Sequence, residues 1–384
     1  MMSVRLFTTL ALGLLILTVP ARAFDTTGNA VADGMLAALS NWRDEVVSVG
    51  DIDVGDDRVL VRDVEVRARD VDDRYTVDSI EIVNGRMDGD VLVADSVRWG
   101  PYEQTTIDAE GGTMTYGFGQ VTDTNVRYSP ESLAAGGPIG PYFHARAESV
   151  AEDVFATFLG IGIVMPRTHT RATPQGDGAM RLEVDLPDVV IKPMVPIDPQ
   201  TVQTLADASL IPLTGDMRLI ASYDEAAKIL SLDELRADFT NLGTLTLTFQ
   251  ASGVDDASWL EFVRQVDQDQ PLTGEAGRIA IAGFSMQYED AGGGQTLVAF
   301  LAHCLGLRQD VFADVMAAAT PGFLGAVEDT DAVEQAADAV RTFLLDPQSI
   351  RIEARPDTPV AMVDLEQSAG GSAVSRLNIT ITAQ

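Results

Sequence analysis

Leu245-Thr246-Leu247-Thr248-Phe249-Gln250-Ala251 is the stretch that decides the fold class. Every second residue is apolar and those between are Thr or Gln, so the run has a period of two and not of 3.6. A strand of this kind has one dry face and one wet face, the mark of antiparallel sheet solvated on one side. The pattern extends outward: Met217, Leu219, Ala221 and Tyr223 share one parity, as do Met180, Leu182, Val184 and Leu186, and Val91, Val93, Val97 and Trp99. Asn84-Gly85 and Asp88-Gly89 are tight-turn signals, and Tyr223-Asp224-Glu225-Ala226 joins two alternating runs as a hairpin does. Within Arg58 to Ala68 the apolar parity slips between Val61 and Val64, which predicts a β-bulge. The expected fold is mainly β, of the α+β class. It is a large curved antiparallel sheet or an open barrel-like groove, not a doubly wound fold.

Beyond this region, which runs from about Val46 to Tyr288, the period is helical. Val31, Met35, Leu36 and Leu39 place a helix over Asn29 to Trp42. After the break at Asp290-Ala291-Gly292-Gly293-Gly294, helices are expected over Thr296–Leu307, Val311–Ala319 and Asp331–Leu345. The second stops before Pro321, and the third opens with Asp331 and Glu334 at capping-box spacing. Strand pattern returns with Ile350, Ile352 and Ala354, then Leu377, Ile379 and Ile381. If these strands rejoin the sheet, the helices form an insertion. The expected organisation is therefore a signal peptide at 1–23, an amino-terminal helix at 24–47, an antiparallel β region at 48–290, a helical insertion at 291–347 and closing strands at 348–384. The Gly- and Pro-rich Ala134 to Pro141 marks a sub-boundary within the β region.

The opening residues point to export. Arg5, an apolar run from Leu6 to Val19 and Ala21-Arg22-Ala23 have the form of a secretory signal peptide cleaved after Ala23. The run is too short to span a bilayer, and the later apolar stretch Leu297 to Leu307 is about half the length a span requires. With one Cys in 384 residues, the expected location is a bacterial periplasm and not a disulfide-stapled secreted context. The formal charge of −32 excludes nucleic-acid binding through basic side chains, and 46% hydrophobic residues exclude wholesale disorder.

Two sets of residues carry a family resemblance. Met217 to Val254, with its hairpin and Leu242-Gly243-Thr244-Leu245-Thr246-Leu247, resembles the repeating strand units of periplasmic β-rich proteins of the AsmA, TamB and YdgA kind. Phe284 to Asp290, the helices, Phe343-Leu344-Leu345-Asp346-Pro347 and Arg355 to Val360 are similar in order to uncharacterised exported proteobacterial proteins. The likeness covers roughly the last 170 residues. It implies an envelope protein with long antiparallel sheets that carries lipid along an apolar groove, and it brings no catalytic motif. The expected cleavage leaves none of the amino-terminal anchor common in the AsmA type.

Motifs for chemistry are sparse. Gly-x-Ser-x-Gly is absent, Lys192 and Lys228 are the only lysines and complete no Ser-x-x-Lys, and no phosphate loop occurs. Gly117-Phe118-Gly119 lacks the third glycine of a dinucleotide fingerprint and reads as relief of a bend. His144, His169 and His303 are widely separated, and Cys304 reads as a core residue. Asp51, Asp53, Asp56 and Asp57 alternate as in a calcium loop but place Asp at the sixth position and Arg62 at the twelfth; Asp70, Asp72 and Glu81 place Tyr75 at the sixth. Neither metal nor cofactor is expected. The candidate apolar pocket is Phe300, Leu301, His303, Phe343 and Leu344, where the helices either line a cavity or seal a core. The expected function is non-catalytic binding or carriage of a lipid-like ligand in the envelope. The alternatives are a structural or protein-interaction module of the envelope, whose partner is an envelope protein, and a hydrolase using acidic residues.

Overall fold

The computed structural model describes residues 26–40, 44–68, 74–107, 113–128, 148–158, 161–175, 179–193, 203, 206, 211–267, 270–324, 330–367 and 376–384. The expected signal peptide, Ala134–Pro141, His144 and Asp70 and Asp72 lie outside these residues. The protein is mainly β and antiparallel, with one helix near its amino terminus and several toward its carboxyl end. The chain forms two compact units, residues 1–159 with 164–184 and residues 160–163 with 185–384.

The first unit contains α1 (Ala30–Ser40), β1 (Asp44–Ser48), β2 (Asp51–Val54), β3 (Arg58–Ala68), β4 (Arg74–Val83), β5 (Arg86–Asp88), β6 (Val91–Trp99), β7 (Tyr102–Ile107), β8 (Thr113–Phe118), β9 (Gln120–Tyr128) and β10 (Glu148–Phe158). Residues of β11 (Ile161–Pro174) and β12 (Ala179–Pro193) fall in both units. Helix α1 starts where Asn29 Oδ1 accepts the amides of Val31 (3.0 Å) and Ala32 (3.1 Å), satisfying donors that the first turn leaves open. Its face of Ala32, Met35 and Leu36 packs on Val61, Val64, Ile80, Ile82, Leu92, Val97 and Val126 of the sheet. Each of those seven sheet residues is 0% exposed, and full burial of each stabilises by about 1.5–3 kcal/mol. A Cβ on Gly85 would lie 2.7 Å from Val31 of the helix, so glycine is required where the helix approaches the β4–β5 turn. Asp123 is wholly buried beside this core and accepts the Tyr128 hydroxyl at 2.8 Å and the Trp99 indole N–H at 3.3 Å.

The parity slip in β3 is real, since Val59 and Val61 are buried on one side of it and Val64 and Val66 on the other. Against β4 there is no bulge, since the pairing runs in one register from Arg58↔Val83 to Arg67↔Arg74; the bulge of this stretch lies on the other side, where β1 has an extra residue between Val46 and Ser48 opposite Val66 and Glu65. Asp63 takes a φ of 52°, which turns β3 over, and β4 changes parity at the same place, from Ile80 to Val77. Gly117 allows close strand approach, because a Cβ there would lie 2.3 Å from the Tyr102 carbonyl.

The second unit contains β13 (Leu213–Asp224), β14 (Ile229–Phe239), β15 (Gly243–Ser252), α2 (Asp256–Asp267), β16 (Ala280–Asp290), α3 (Gly294–Cys304), α4 (Gln309–Leu324), α5 (Thr330–Leu345), β17 (Ser349–Ala354), β18 (Val360–Ala361), α6 (Met362–Gln367) and β19 (Ile379–Ala383). Strands β13 to β17 and then β19 pair in that order, each antiparallel to the next. Helices α3 to α5 thus interrupt the chain between two strands that are hydrogen-bonded neighbours, β16 and β17.

Four boundaries depart from the periodicity. Strand β1 already begins at Asp44, within the stretch read as amino-terminal helix. Helix α2 lies inside the run of period two, where Asp255 and Ser258 build a reciprocal cap: Ser258 N donates to Asp255 Oδ1 at 2.9 Å and Asp255 N to Ser258 Oγ at 2.8 Å. Helix α4 passes through Pro321 to Leu324. A proline in the last turn forfeits one backbone bond, while Phe312, Ala313, Ala317 and Thr320 are buried along the helix. Helix α5 starts at Thr330, which puts Asp331 in the first turn, where a carboxylate faces the positive end of the helix.

Candidate functional site

The pairings of the second unit align apolar side chains into rungs that cross six strands. The middle rung is Leu219–Leu235–Leu247–Met286–Ile352–Ile381. On one side of it runs Ala221–Leu232–Phe249–Phe284–Ala354–Ile379, and on the other Met217–Ala237–Leu245–Tyr288–Ile350–Ala383. Directly opposed residues project from the same face of a sheet, so the three rungs make one apolar surface. A register shift between Leu232 and Leu235 keeps both on that surface although they are three residues apart.

The ends of this surface are packed. Tyr288 meets Phe343 of α5 edge-on at 5.7 Å between ring centres. At the other end Ala354, Val360 and Leu377 form a cluster with Ile281, Phe284, Leu365 and Ile379. Between them all six residues of the middle rung are half-buried. The floor of the sheet is thus a strip of partly accessible Leu, Met and Ile, with α5 packed on its β17 and β19 end.

The opposite face is polar. A shallow concavity of about 530 Å³ is lined chiefly by Thr246, Thr248, Ser285, Gln287, Arg351 and Glu353. Glu353 is ion-paired with Arg351 and, at 3.0 Å, with Arg355.

Two titratable groups fix the strand ends. Asp255 is held at about 2, below its ordinary 3.8, first by the Lys228 ammonium at 2.6 Å and then by the Ser258 amide. The Tyr288 hydroxyl is pushed well above the usual phenol range by burial and by the neighbouring Asp290 carboxylate. It lies 2.5 Å from the Leu242 carbonyl and 2.9 Å from Asp290 Oδ1. Asp290 also accepts the amides of Gly292 at 2.7 Å and Gly294 at 2.6 Å, which ties the end of β16 to the start of α3.

The structure divides the five pocket residues expected from the sequence. Phe343 packs on the sheet through Tyr288, and Leu344 packs among the helices with Val298, Ala302 and Phe312. Phe300 is half-buried, His303 is exposed and Leu301 is 44% exposed. Cys304 closes α3, and its burial lies outside the described side chains. Sequence reasoning missed the middle rung as a unit. Its members were visible singly through alternation, and the slip between Leu232 and Leu235 was a legible sign of the same kind as the one read in β3.

The acidic run at 51–57 faces the arginines of β3. Arg62 pairs with Asp51 at 2.9 Å, and Arg58 approaches Asp53 at 3.8 Å across β2 and β3. His169 sits 2.6 Å from Glu148 Oε1. Among the described residues no group of three or more His, Cys, Asp or Glu is arranged to hold a metal ion, and no helix is long and apolar enough to cross a membrane.

A family model described as an uncharacterized protein matches residues 236–384. That stretch runs from within β14 to the carboxyl terminus, so it contains most of the six-stranded array that carries the middle rung, and all the helices from α2 to α6. Comparison with curated proteins gives no match.

Proposed function

We propose that the protein binds or carries a long-chain, lipid-like molecule in the bacterial periplasm, without catalysis, and that the middle rung of the second unit is its seat. The observation that carries this reading is the partly accessible strip Leu219–Leu235–Leu247–Met286–Ile352–Ile381, which α5 meets at its β17 and β19 end and the α6 cluster flanks. Six strands spaced by about 4.8 Å give a strip roughly 24 Å long, the span of an extended acyl chain. Apolar surface carries a free-energy cost in water that an acyl chain laid along it would remove. The resemblance of the carboxyl-terminal half to AsmA, TamB and YdgA-like proteins supports the same reading, as does the signal-peptide form of residues 1–23. The competing role is an envelope interaction module, in which a partner protein covers the strip.

The test is organic extraction of protein purified from the envelope of the producing cell, with mass spectrometry of the extract and titration with a fluorescent fatty acid. A stoichiometric lipid, and a fatty-acid affinity reduced about tenfold or more in Leu247→Asp, are expected, since the change sets a charge against the chain. No lipid in the extract, together with equal fatty-acid binding by both proteins, removes the carrier reading in favour of the module.

A further inference from the structure

Apolar exposure in this protein is concentrated away from the sheet as well. Among the described residues, five large hydrophobic side chains are strongly exposed, and four of them, Leu301 (44%), Leu305 (64%), Val311 (37%) and Val315 (50%), fall within 15 consecutive positions. Leu301 and Leu305 stand four apart at the end of α3, and Val311 and Val315 four apart at the start of α4, so each pair shares one helix face. The two faces flank a tight turn at Gly306, whose φ of 68° favours glycine. On the inner side of the same helices Val298, Ala302 and Phe312 are buried together. The outward Leu and Val lie outside that buried cluster.

The charges of this tip differ from those of the rest of the chain. From Ala291 to Gln309 there is no Asp or Glu, although the chain as a whole has 58. The tip's own basic side chains are His303, which is exposed, and Arg308, whose side chain is 79% exposed. Asp310 pairs with Arg308 at 2.6 Å and Asp314 with Arg341 at 2.7 Å, so the nearest carboxylates at the start of α4 are neutralised by arginine. A protein of net charge −32 is repelled by an anionic lipid surface everywhere except where carboxylates are missing or paired. The patch is built of Leu and Val, which are under-represented among the residues that anchor protein interfaces. Aliphatic side chains with no uncompensated carboxylate beside them suit shallow insertion among lipid head groups.

We propose that the α3–α4 tip, through Leu301, Leu305, Val311 and Val315, docks the protein reversibly on a lipid bilayer surface. This extends the carrier reading by naming where an acyl chain is exchanged, but it stands on a different patch and is tested separately from it.

The experiment uses protein purified from the envelope after export and vesicles of phosphatidylethanolamine and phosphatidylglycerol. Three forms are compared in flotation: the parent chain, Leu305→Asp/Val315→Asp, and Leu305→Trp. Both altered positions in the double variant are exposed, so its thermal unfolding should match that of the parent. The parent is expected to float with vesicles, the double variant to lose about tenfold or more of that binding, and Leu305→Trp to shift its emission to the blue by roughly 10 nm on vesicle addition. Fatty-acid titration of the double variant should be unchanged, which separates this proposal from the sheet strip. Equal flotation of parent and double variant, an emission of the Leu305→Trp variant that vesicles leave unshifted, or a parent that is dimeric where the double variant is monomeric would each overturn the proposal. The last result would make the patch a contact between copies.

Discussion

The two units use the same alternating text and reach different ends. In the first, the dry face lies under α1, and Val61, Ile80, Ile82, Leu92 and Val97 are closed to solvent completely. In the second, an equally regular apolar rung keeps part of its surface accessible in all six strands. The pleat that puts Leu245, Leu247 and Phe249 on one side is a property of each strand alone. Whether a helix then covers that side depends on which other segment is at hand and on what cap it carries. Alternation therefore reports that a face is apolar and is silent on what it meets.

This contrast can be broken by mutation. Ile80→Ala should lower stability by about 3 kcal/mol, as a truncation in a closed core does. Leu247→Ala should cost about 1 kcal/mol or less, because its side chain is only partly withdrawn from water. Urea titration of both variants checks this, and equal losses would mean that the second sheet is sealed as tightly as the first. The next effect belongs to the first unit. Asp123→Ala takes the acceptor from the Tyr128 hydroxyl and the Trp99 indole beside a closed core, and should cost about 2 kcal/mol in the same assay.

In the second unit, removing a cap is milder. Asp255→Ala should cost about 1 kcal/mol near neutral pH. The folded carboxyl titrates at about 2 against an ordinary 3.8. Between those values the unfolded chain holds more protons, so stability rises with pH there. The Asp255 contribution is complete above roughly pH 4 and fades as pH falls through 2; the gap between parent and Asp255→Ala should close over that window, and a gap constant from pH 6 to pH 2 would remove Lys228 and Ser258 as its cause. The smallest effect is expected at the exposed tip. Leu305→Ser should change stability by less than about 0.5 kcal/mol, and a larger loss would show that Leu305 is part of the packed helices.

Much of the fold is legible in the sequence. The hairpin at Tyr223 to Ala226, the turns at Asn84-Gly85 and Asp88-Gly89 and the three helices after Gly294 follow from turn chemistry and period, which act over a few residues. What escaped had longer reach. The parity change in β3 has the look of a bulge in the sequence, because one strand cannot show that its partner turns over at the same point. Helix α2 hid inside a β region although Asp255 and Ser258 stood at capping distance. Pro321 was given the power to stop a helix that buried packing carries onward. The expected pocket residues on α3 and α5 are apolar except for His303, and apolarity does not say whether Leu344 turns inward or Leu301 outward.

By itself the sequence determined that the chain is antiparallel and mainly β, because side-chain alternation follows from the pleat of each strand. It also determined that the chain is acidic and poor in motifs for catalysis. Only the tertiary structure decided which of its many apolar faces are closed and which stay open. Closure requires two segments distant in sequence to meet, and no local period records that meeting.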